Sequence, residues 1–362
     1  MTGPSISHNQ LWVATLGLLV TKVFYPYPRG AAVSAGAAAP WTELLSAGVA
    51  FLLFLPVLTA MATRPGKNFV DLTLEVGGRP LAIISALGIA AFLIGANAIR
   101  LRVISELAVA ALYPFTPQTF LMGSLVFTAV VGAWVSPQGL AWLTAMVTWP
   151  TVVGILGLLA GCIGWVTSAY LFPLTGTGAM AVARAVFPMT SHYSELLYAA
   201  VLAGFVSKPH LLPGAIGKAV GVTCLVSAAT VLIFLMVFPY PGVDHIPFPL
   251  FELTRLIQGG RFLERTDGLW VLFLTFGSAL LLAIALQVSA LLLQQAFRMP
   301  THRDAIVPLA MAMLAGALFP SNQAAAIVAD LMYFRRWGFV IALVLPMLIA
   351  GAAYWRRRRA NG

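Results

Sequence analysis

The stretch AVFPMTSHYSELLY (185–198) lies between two strongly apolar segments, GAMAVAR before it and AAVLAGFV after it. An uninterrupted apolar run of this length would be an ordinary membrane-spanning helix. Its middle instead holds polar and helix-breaking residues: Pro188, Thr190, Ser191, His192, Ser194 and Glu195. A polar break at the centre of an apolar segment predicts a membrane helix interrupted beside a protein-lined cavity, because backbone groups freed in lipid must find partners there.

The composition places the whole chain in lipid. Only 9% of its 362 residues are charged, 60% are hydrophobic, and the mean hydropathy is +0.93. Soluble domains carry about 25% charged residues. The net charge of +10 comes from basic residues scattered between apolar runs. That pattern fits the excess of Lys and Arg in cytoplasmic loops, so we expect the lipid bilayer and not nucleic acid as the surroundings.

Windows of about 20 apolar residues predict ten spans in an all-α integral membrane protein. They cover about 8–32, 37–62, 80–110, 116–135, 138–166, 178–206, 212–238, 265–293, 304–319 and 336–355. The Lys and Arg residues fall mostly in one set of alternate loops, and the run Arg356 to Arg359 follows span ten. This bias predicts that both termini face the cytoplasm.

Spans one and six are interrupted. Span one carries Lys22 followed by YPYP (25–28), and span six carries the stretch quoted above. An odd number of spans in each half inverts the second half relative to the first, so we expect two inverted halves, 1–168 and 169–362, with a substrate site between the broken helices. The alternative is that the prolines only kink two ordinary spans.

Six ionisable residues inside the predicted spans are considered as functional candidates because of their position. They are Lys22, Arg100, Arg102, Glu106, Arg184 and Glu195. The spacing of Arg102 and Glu106 favours a mutual ion pair, and Arg100 lies near a span end, where it can extend toward the interface. Lys22 and Glu195 flank the two breaks. They are candidates for ligand binding or for a structural pair with each other.

We expect the stretch at 185–198 to form one wall of the ligand site. Pro188 should end or kink the first half-helix, and the second half-helix should begin near Ser191 to Ser194. Its amino end would suit a carboxylate, while Glu195 would hold an ammonium, bind a proton or only cap the helix. The predicted ligand-binding residues are Lys22, Tyr25, Asn97, Thr190, Ser191, His192, Tyr193 and Glu195. No catalytic residue, metal site or cofactor is predicted.

Two connections have the pattern of short amphipathic helices. Residues 66–78, GKNFVDLTLEVGG, alternate apolar and acidic residues, and we expect them on the inner surface. Residues 246–268 also mix apolar and charged residues, and we expect them on the outer side. A helix from Pro247 to Gly260 would lie either across the mouth of the site or against a partner subunit.

Several motifs resemble the B subunit of bacterial spore germinant receptors, the endospore germination permeases of the amino acid–polyamine–organocation transporter superfamily. The resemblance rests on ISHNQLW (6–12), TKVFYPYPRGAAVSAGAAAPW (21–41), LRVISELAVAALYPFTP (101–117), LFPLTGTG (171–178), SELLYAAV (194–201), FPLFELTRLIQGGRFLERTDGLW (248–270), LFPSN (318–322) and LPMLIAGAAYWRRRR (345–359). The loop VSPQGLAWLTAM (135–146) departs from the family pattern, because it keeps Gly139 but lacks the usual acid and Arg.

The resemblance implies a ten-helix, leucine-transporter-like fold of five plus five spans in the spore inner membrane. It also implies a complex with receptor A and C subunits and binding of a small germinant such as an amino acid. The alternative function is a permease that transports an amino acid or a cation. An enzyme is not expected, since the chain has no HExxH, GxSxG or P-loop motif.

Overall fold

The computed structural model describes residues 6–111, 113–176, 178–240, 242–257 and 266–360. Helices dominate these residues, and every predicted span contains helix. The helices are α1 His8–Val20, α2 Tyr27–Ala35, α3 Ala39–Ala62, α4 Phe69–Ala111, α5 Gln118–Trp134, α6 Pro137–Gly161, α7 Ala179–Thr190, α8 Leu196–Leu202, α9 Leu212–Val237, α10 Pro249–Leu256, α11 Thr266–Phe297, α12 Arg303–Leu318, α13 Gln323–Ala329, α14 Arg336–Phe339 and α15 Leu345–Ala360.

Six stretches of the described chain are long and apolar enough to cross a membrane by length and composition. The other spans are shorter for visible reasons. Spans one and six are each split into two half-helices, while α5 and α12 have 17 and 16 residues. The helical architecture confirms the predicted all-α membrane class. The boundary between the two halves at residues 168 and 169 stays a prediction.

The first break lies between α1 and α2. A 3₁₀ turn follows α1 from Thr21 to Phe24, and Tyr25 then takes an extended conformation (φ −88°, ψ 179°) before Pro26. Proline at 26 and 28 accounts for the position, since a proline donates no backbone hydrogen bond and fits the first turn of a new helix. Lys22 and Tyr25 are therefore held at the point where the span changes direction.

The second break is tighter than the sequence predicts. Helix α7 passes through Pro188 and ends at Thr190, a 3₁₀ turn covers Ser191–Tyr193, and α8 begins at Leu196. Of the two predicted effects of Pro188, an end or a kink of the first half-helix, the end does not occur, because the helix continues to Thr190. The turn keeps its amides bonded in the i→i+3 pattern, with the amide of Ser194 donating to Ser191 and that of Leu197 to Ser194. These amides are therefore not available to a carboxylate, as the predicted open amino end would require.

The two broken spans lie at the centre of the bundle. Helix α1 packs against α6 and α9, α3 packs against α7 and α9, and the long α11 packs against α4 and α5. Every residue from Thr190 to Ala203 is buried. The packing of unbroken helices around both breaks supplies the protein walls that interrupted backbone needs in a membrane.

The predicted inner amphipathic helix is the first part of α4. Gly78 adopts a left-handed conformation (φ 66°), which kinks α4 between this segment and span three. Phe69 and Leu72 are buried against the bundle, whereas Glu75 faces outward and bonds Arg64 and Lys67. A side chain at Gly78 would be strained, because only glycine adopts this conformation readily.

The predicted outer helix is present as α10. Leu250 and Leu253 are buried, and the ring of Phe251 lies 5.1 Å from that of Trp270 in span eight. The predicted end of this helix at Gly259 and Gly260 lies outside the described residues. The buried leucines show that α10 is fastened to the bundle.

Candidate functional site

A cavity of about 490 Å³ lies where the two breaks meet. Its lining comes from the first break and α2, from α4, from the second break, from the loop before α10 and from the start of span ten. The polar lining residues are Thr21, Lys22, Tyr25, Tyr27, Arg29, Ser34, Arg100, His192, Glu195, Asp244, His245, Gln323, Asp330 and Arg335. This volume suits a small organic molecule.

Lys22 is neutralised by a residue of span two. Its Nζ donates to Oε1 of Glu43 at 2.7 Å, and the hydroxyl of Tyr193 donates to the same oxygen at 2.7 Å. The ammonium also lies 3.8 Å from the ring centroid of Tyr193 and 4.6 Å from that of Tyr27. An ammonium at mid-membrane costs at least about 2.5–3.5 kcal/mol, so the carboxylate and the two ring faces explain how Lys22 is tolerated there.

Arg100 and Glu195 form a second buried pair. A guanidinium nitrogen of Arg100 donates to Oε1 of Glu195, and another donates to the Asn97 amide oxygen at 3.4 Å. Asn97 in turn donates to the backbone oxygen of Leu93 and to the hydroxyl of Tyr198. Arg100 therefore points into the protein and does not extend toward the interface, contrary to what the sequence suggested. It also neutralises Glu195, so the candidate pair between Lys22 and Glu195 does not form.

A third pair links span ten to the second break. Nε of Arg335 donates to Oδ2 of Asp330 at 2.8 Å, and its Nη1 donates to the backbone oxygen of Ser191 at 3.4 Å. The Ser191 hydroxyl donates to the backbone oxygen of Arg335 and accepts from the amide of Phe339. Ser191 thus joins the 3₁₀ turn of span six to the π-helical turn Asp330–Arg335.

Each of these three carboxylates has one oxygen without a partner. Oε2 of Glu43, Oε2 of Glu195 and Oδ1 of Asp330 are buried and accept no hydrogen bond from the described residues. Two of the three carboxylates, Glu195 and Asp330, line the cavity. A buried acceptor left unpaired is unfavourable by about 1–3 kcal/mol, so these oxygens are suited to a donor group from a ligand.

The eight predicted ligand residues fall into two sets. Lys22, Tyr25, His192 and Glu195 line the cavity. The other four lie behind its walls, where Asn97 supports Arg100, Thr190 donates to the backbone oxygen of Val186, Ser191 bonds span ten, and Tyr193 bonds Glu43. Their polar groups are occupied by protein partners, so in this structure they position the lining residues and do not face the cavity.

Three members of the buried ion pairs were missed by the sequence reasoning. Glu43 stands alone in the apolar run of span two, and its intramembrane position was a usable signal. Asp330 and Arg335 were missed because span ten was predicted to begin at 336, whereas helix begins at Gln323. The predicted pair of Arg102 and Glu106 is present at 2.6 Å and lies away from the cavity lining.

The mouth of the cavity is crossed by an ion pair. Arg29 of α2 donates through Nε to the backbone oxygen of Asp244 at 2.9 Å and through Nη2 to its carboxylate at 3.3 Å. Asp244 precedes α10 and is exposed, and it lines the cavity together with His245 and Pro247. The connection that carries α10 therefore forms one side of the entrance.

Solved transporter structures share this fold. The structure resembles MhsT in complex with L-phenylalanine, with a TM-score of 0.73 and 13% identity over 96% of this chain and 89% of that one. It also resembles Mhp1, a nucleobase–cation symporter, in a closed conformation with bromovinylhydantoin bound, with a TM-score of 0.73 and 12% identity over 98% of this chain and 80% of that one. A substrate-bound, outward-open Na⁺-coupled sialic acid symporter matches with a TM-score of 0.63 and 12% identity, over 93% and 78% of the two chains. These matches confirm the leucine-transporter fold of five plus five spans.

No curated protein sequence matches the chain. The model of the family described as "Spore germination protein" matches residues 5–325, which include both broken spans and the outer helix α10. This family and the structural neighbours are permeases and transporters, which agrees with the expectation that the protein is not an enzyme. Because the match covers nearly the whole chain, this integral membrane protein belongs to the spore germination protein family.

Proposed function

We propose that the protein is the germinant-sensing membrane subunit of a spore germination receptor and binds a free amino acid in the cavity between the two breaks. The observation that carries this proposal is the cavity itself, with its buried, balanced charges and two unpartnered carboxylate oxygens. The ligand ammonium binds to the free oxygens of Glu195 and Asp330. Its carboxylate binds to Lys22, whose Nζ is a three-proton donor with Glu43 as its one hydrogen-bond acceptor among the described residues.

Two further points support an amino acid. A cavity whose wall charges of both signs are held in ion pairs suits a zwitterion better than an amine or an acid alone, because each ligand charge then meets an opposite one. The structure of MhsT, which has the same fold, holds L-phenylalanine. In the proposed receptor, ligand binding changes the packing of the breaks, and the A and C subunits receive that change in the spore inner membrane.

The first experiment measures ligand binding to the purified protein in liposomes. We expect alanine and similar amino acids to bind, whereas ethylamine and propionate, each with one of the two charges, bind at least about tenfold more weakly.

Glu195→Gln keeps the size of the side chain and removes its charge, so it should weaken amino acid binding by about tenfold or more. Glu106→Gln is the matched control, because Glu106 also pairs with an arginine but does not line the cavity.

A folding defect is separated from a binding defect by a second variant. Glu195→Gln leaves the buried Arg100 without a counter-charge, whereas Arg100→Gln combined with Glu195→Gln removes both charges together. We expect the double variant to unfold near the wild-type temperature and still bind poorly. Normal amino acid binding in the double variant would refute the proposed role of Glu195.

The second candidate function is an amino acid or cation permease, which the match to substrate-bound transporters favours. The same liposomes distinguish the two functions. A receptor subunit binds the amino acid without accumulating it, whereas a permease moves labelled amino acid into the lumen in proportion to time. Sustained uptake by the isolated protein would replace the receptor proposal by the permease.

A further inference from the structure

Two arginines lie exposed on the outside of the bundle without a counter-charge. Arg184 belongs to an exposed stripe of α7 that includes Met180 and Phe187, and Arg336 begins α14, where Trp337 is also exposed. Neither arginine forms an ion pair or a side-chain hydrogen bond with the residues that the structure describes. Neither lines the central cavity.

The two arginines lie at a similar level on neighbouring helices. Helices α7 and α14 pack together, and the rings of Phe187 and Phe339 are 5.7 Å apart. Arg184 precedes Phe187 by three residues, and Arg336 precedes Phe339 by three residues. Spans six and ten enter the membrane from the same side, because three crossings, spans seven to nine, lie between them. Arg184 and Arg336 are therefore both about one helical turn from the ring contact, in the same direction.

The spacing along span ten puts that level about one hydrocarbon thickness away from the inner end of the span. The inner end of span ten is marked by the arginine run that begins at Arg356. About 20 residues, or about 30 Å of helix, separate Arg336 from it, and the hydrocarbon layer is also about 30 Å thick. Exposed Tyr333 and Trp337 lie on either side of Arg336, as aromatic residues do at a membrane interface.

The chemistry of this level selects the ligand. Arginine on the outer side runs against the usual excess of basic residues inside. Two guanidinium groups at one level of neighbouring helices repel each other, and an anion bound between them removes that repulsion. Phospholipid phosphates lie at this depth, and a phosphate diester accepts paired hydrogen bonds from guanidinium groups. We infer that Arg184 and Arg336 together bind the headgroup phosphate of an anionic phospholipid from the outer leaflet, in the cleft between α7 and α14.

The position gives this lipid a structural consequence. Arg336 directly follows Arg335, which lines the cavity, and the amide of Phe339 in α14 donates to the hydroxyl of Ser191 at the second break. A phosphate bridging the two helices would hold α7 against α14 beside the cavity. The lipid site is separate from the proposed amino acid site, so either one can exist without the other.

The test measures lipid retained by the purified protein. The wild type and an Arg184→Gln/Arg336→Gln double variant are incubated with phosphatidylglycerol or phosphatidylcholine vesicles, re-extracted in detergent and examined by native mass spectrometry. We expect the wild type to retain phosphatidylglycerol and the double variant to retain about tenfold less. Arg79→Gln, which changes an exposed arginine near the inner surface, should retain the wild-type amount.

A stability control and several further outcomes decide whether the lipid inference holds. Unfolding temperatures of the double variant and the wild type should agree in lipid-free detergent, since both side chains are exposed. Unchanged phosphatidylglycerol retention in the double variant would overturn the inference, as would equal retention of phosphatidylcholine by the wild type. Displacement of the lipid by millimolar inorganic phosphate would overturn the lipid assignment. If the arginines instead face a carboxylate of a partner's helix, the double variant loses that partner and keeps the lipid.

Discussion

At the residue scale, the centre of the bundle contains three carboxylates whose two oxygens have different surroundings. One oxygen of Glu43, Glu195 and Asp330 accepts from a buried cation, and the other has no partner among the described residues. A fully satisfied pair would stabilise the fold more, because buried acceptors are costly when unpaired. The unused oxygens of Glu195 and Asp330, which line the cavity, are therefore better explained by a ligand than by stability.

Glu43→Gln is expected to destabilise the protein, because it leaves the ammonium of Lys22 buried without a counter-charge. Removing one partner of a buried pair typically costs about 3–5 kcal/mol, so the unfolding temperature in detergent should fall clearly. Adding Lys22→Met should recover most of the loss, since both charges are then absent. If Glu43→Gln alone unfolds like the wild type, Lys22 does not depend on Glu43 for its burial.

The sequence predicts which residues are unusual more readily than it predicts their partners. Lys22 and Glu195 stand out because ionisable residues are rare within membrane spans. Their partners Glu43 and Arg100 are set by the rotation and register of spans two and three against the breaks. That packing depends on contacts between segments far apart in the chain, so the sequence left a Lys22–Glu195 pair open where the structure forms two separate pairs.

At the element scale, proline predicts that a span is interrupted but not how. Pro26 separates α1 from α2 at an extended residue, as its fixed φ and missing N–H require. Pro188 lies inside α7, which continues to Thr190 because tertiary contacts hold the turn that follows. Ser191 bonds two backbone groups of span ten across this turn. The form of the second break is therefore decided by span ten, which is why local sequence did not reveal it.

Gly17→Ala is expected to weaken the packing of α1 on α6. A Cβ at Gly17 would lie 2.1 Å from Oγ1 of Thr148, which donates to Val13 and Thr144 in the present packing. Overpacking of this kind costs about 1–3 kcal/mol, so the unfolding temperature should fall. Thr148→Ala should restore part of the loss in the double variant.

The matched control is Gly157→Ala in α6, where an added Cβ meets nothing within 4 Å. Alanine favours helix over glycine by up to about 1 kcal/mol, so this variant should be as stable as the wild type or slightly more so. Equal effects of Gly17→Ala and Gly157→Ala would contradict the close approach of α1 to α6.

The inner helix at the start of α4 should loosen in acid. Although partial burial raises the pKa of Glu75, its hydrogen bond from Lys67 and the charge of Arg64 outweigh that effect and lower it below the ordinary value. A carboxyl group with a depressed folded-state pKa contributes stability above its ordinary pKa of about 4.3, and this stability is lost as the pH falls through the lowered value. Hydrogen exchange of residues 70–76 should therefore accelerate below about pH 4. In Glu75→Gln the same amides should exchange faster at neutral pH, with little further change in acid.

At the scale of the whole molecule, composition and hydropathy were sufficient for the fold class. The ten apolar windows and the paired interruptions predicted two inverted halves with broken spans one and six, because a membrane leaves few ways to satisfy the backbone. The family resemblance implied the leucine-transporter-like form of this architecture. The least accurate span was the tenth, predicted at 336–355, since polar Gln323, Asp330 and Arg335 lower its hydropathy where the helix forms the cavity wall. The polar residues that line the site are thus the ones that make the start of span ten hard to predict from hydropathy.

The orientation of the molecule is the last prediction, and it rests on the distribution of Lys and Arg among the loops. With ten crossings, both ends of the chain must lie on one side, and the arginine run at 356–359 places that side in the cytoplasm. The cavity mouth at Arg29 and Asp244 then opens outward, where an external amino acid can enter. Cys162 and Cys224 are buried, so their replacement by alanine provides a background for labelling.

In that background, His245→Cys should react with a membrane-impermeant maleimide added to intact cells. Lys208→Cys and Arg358→Cys should react only after the membrane is opened; all three positions are exposed. Because the first site lies at the cavity mouth and the other two lie in the predicted inner segments, the pattern also fixes the direction from which ligand reaches Glu195. Labelling of Arg358→Cys in intact cells would show that the predicted orientation is wrong. The cavity mouth would then face the cytoplasm, and an external amino acid could not be detected through it.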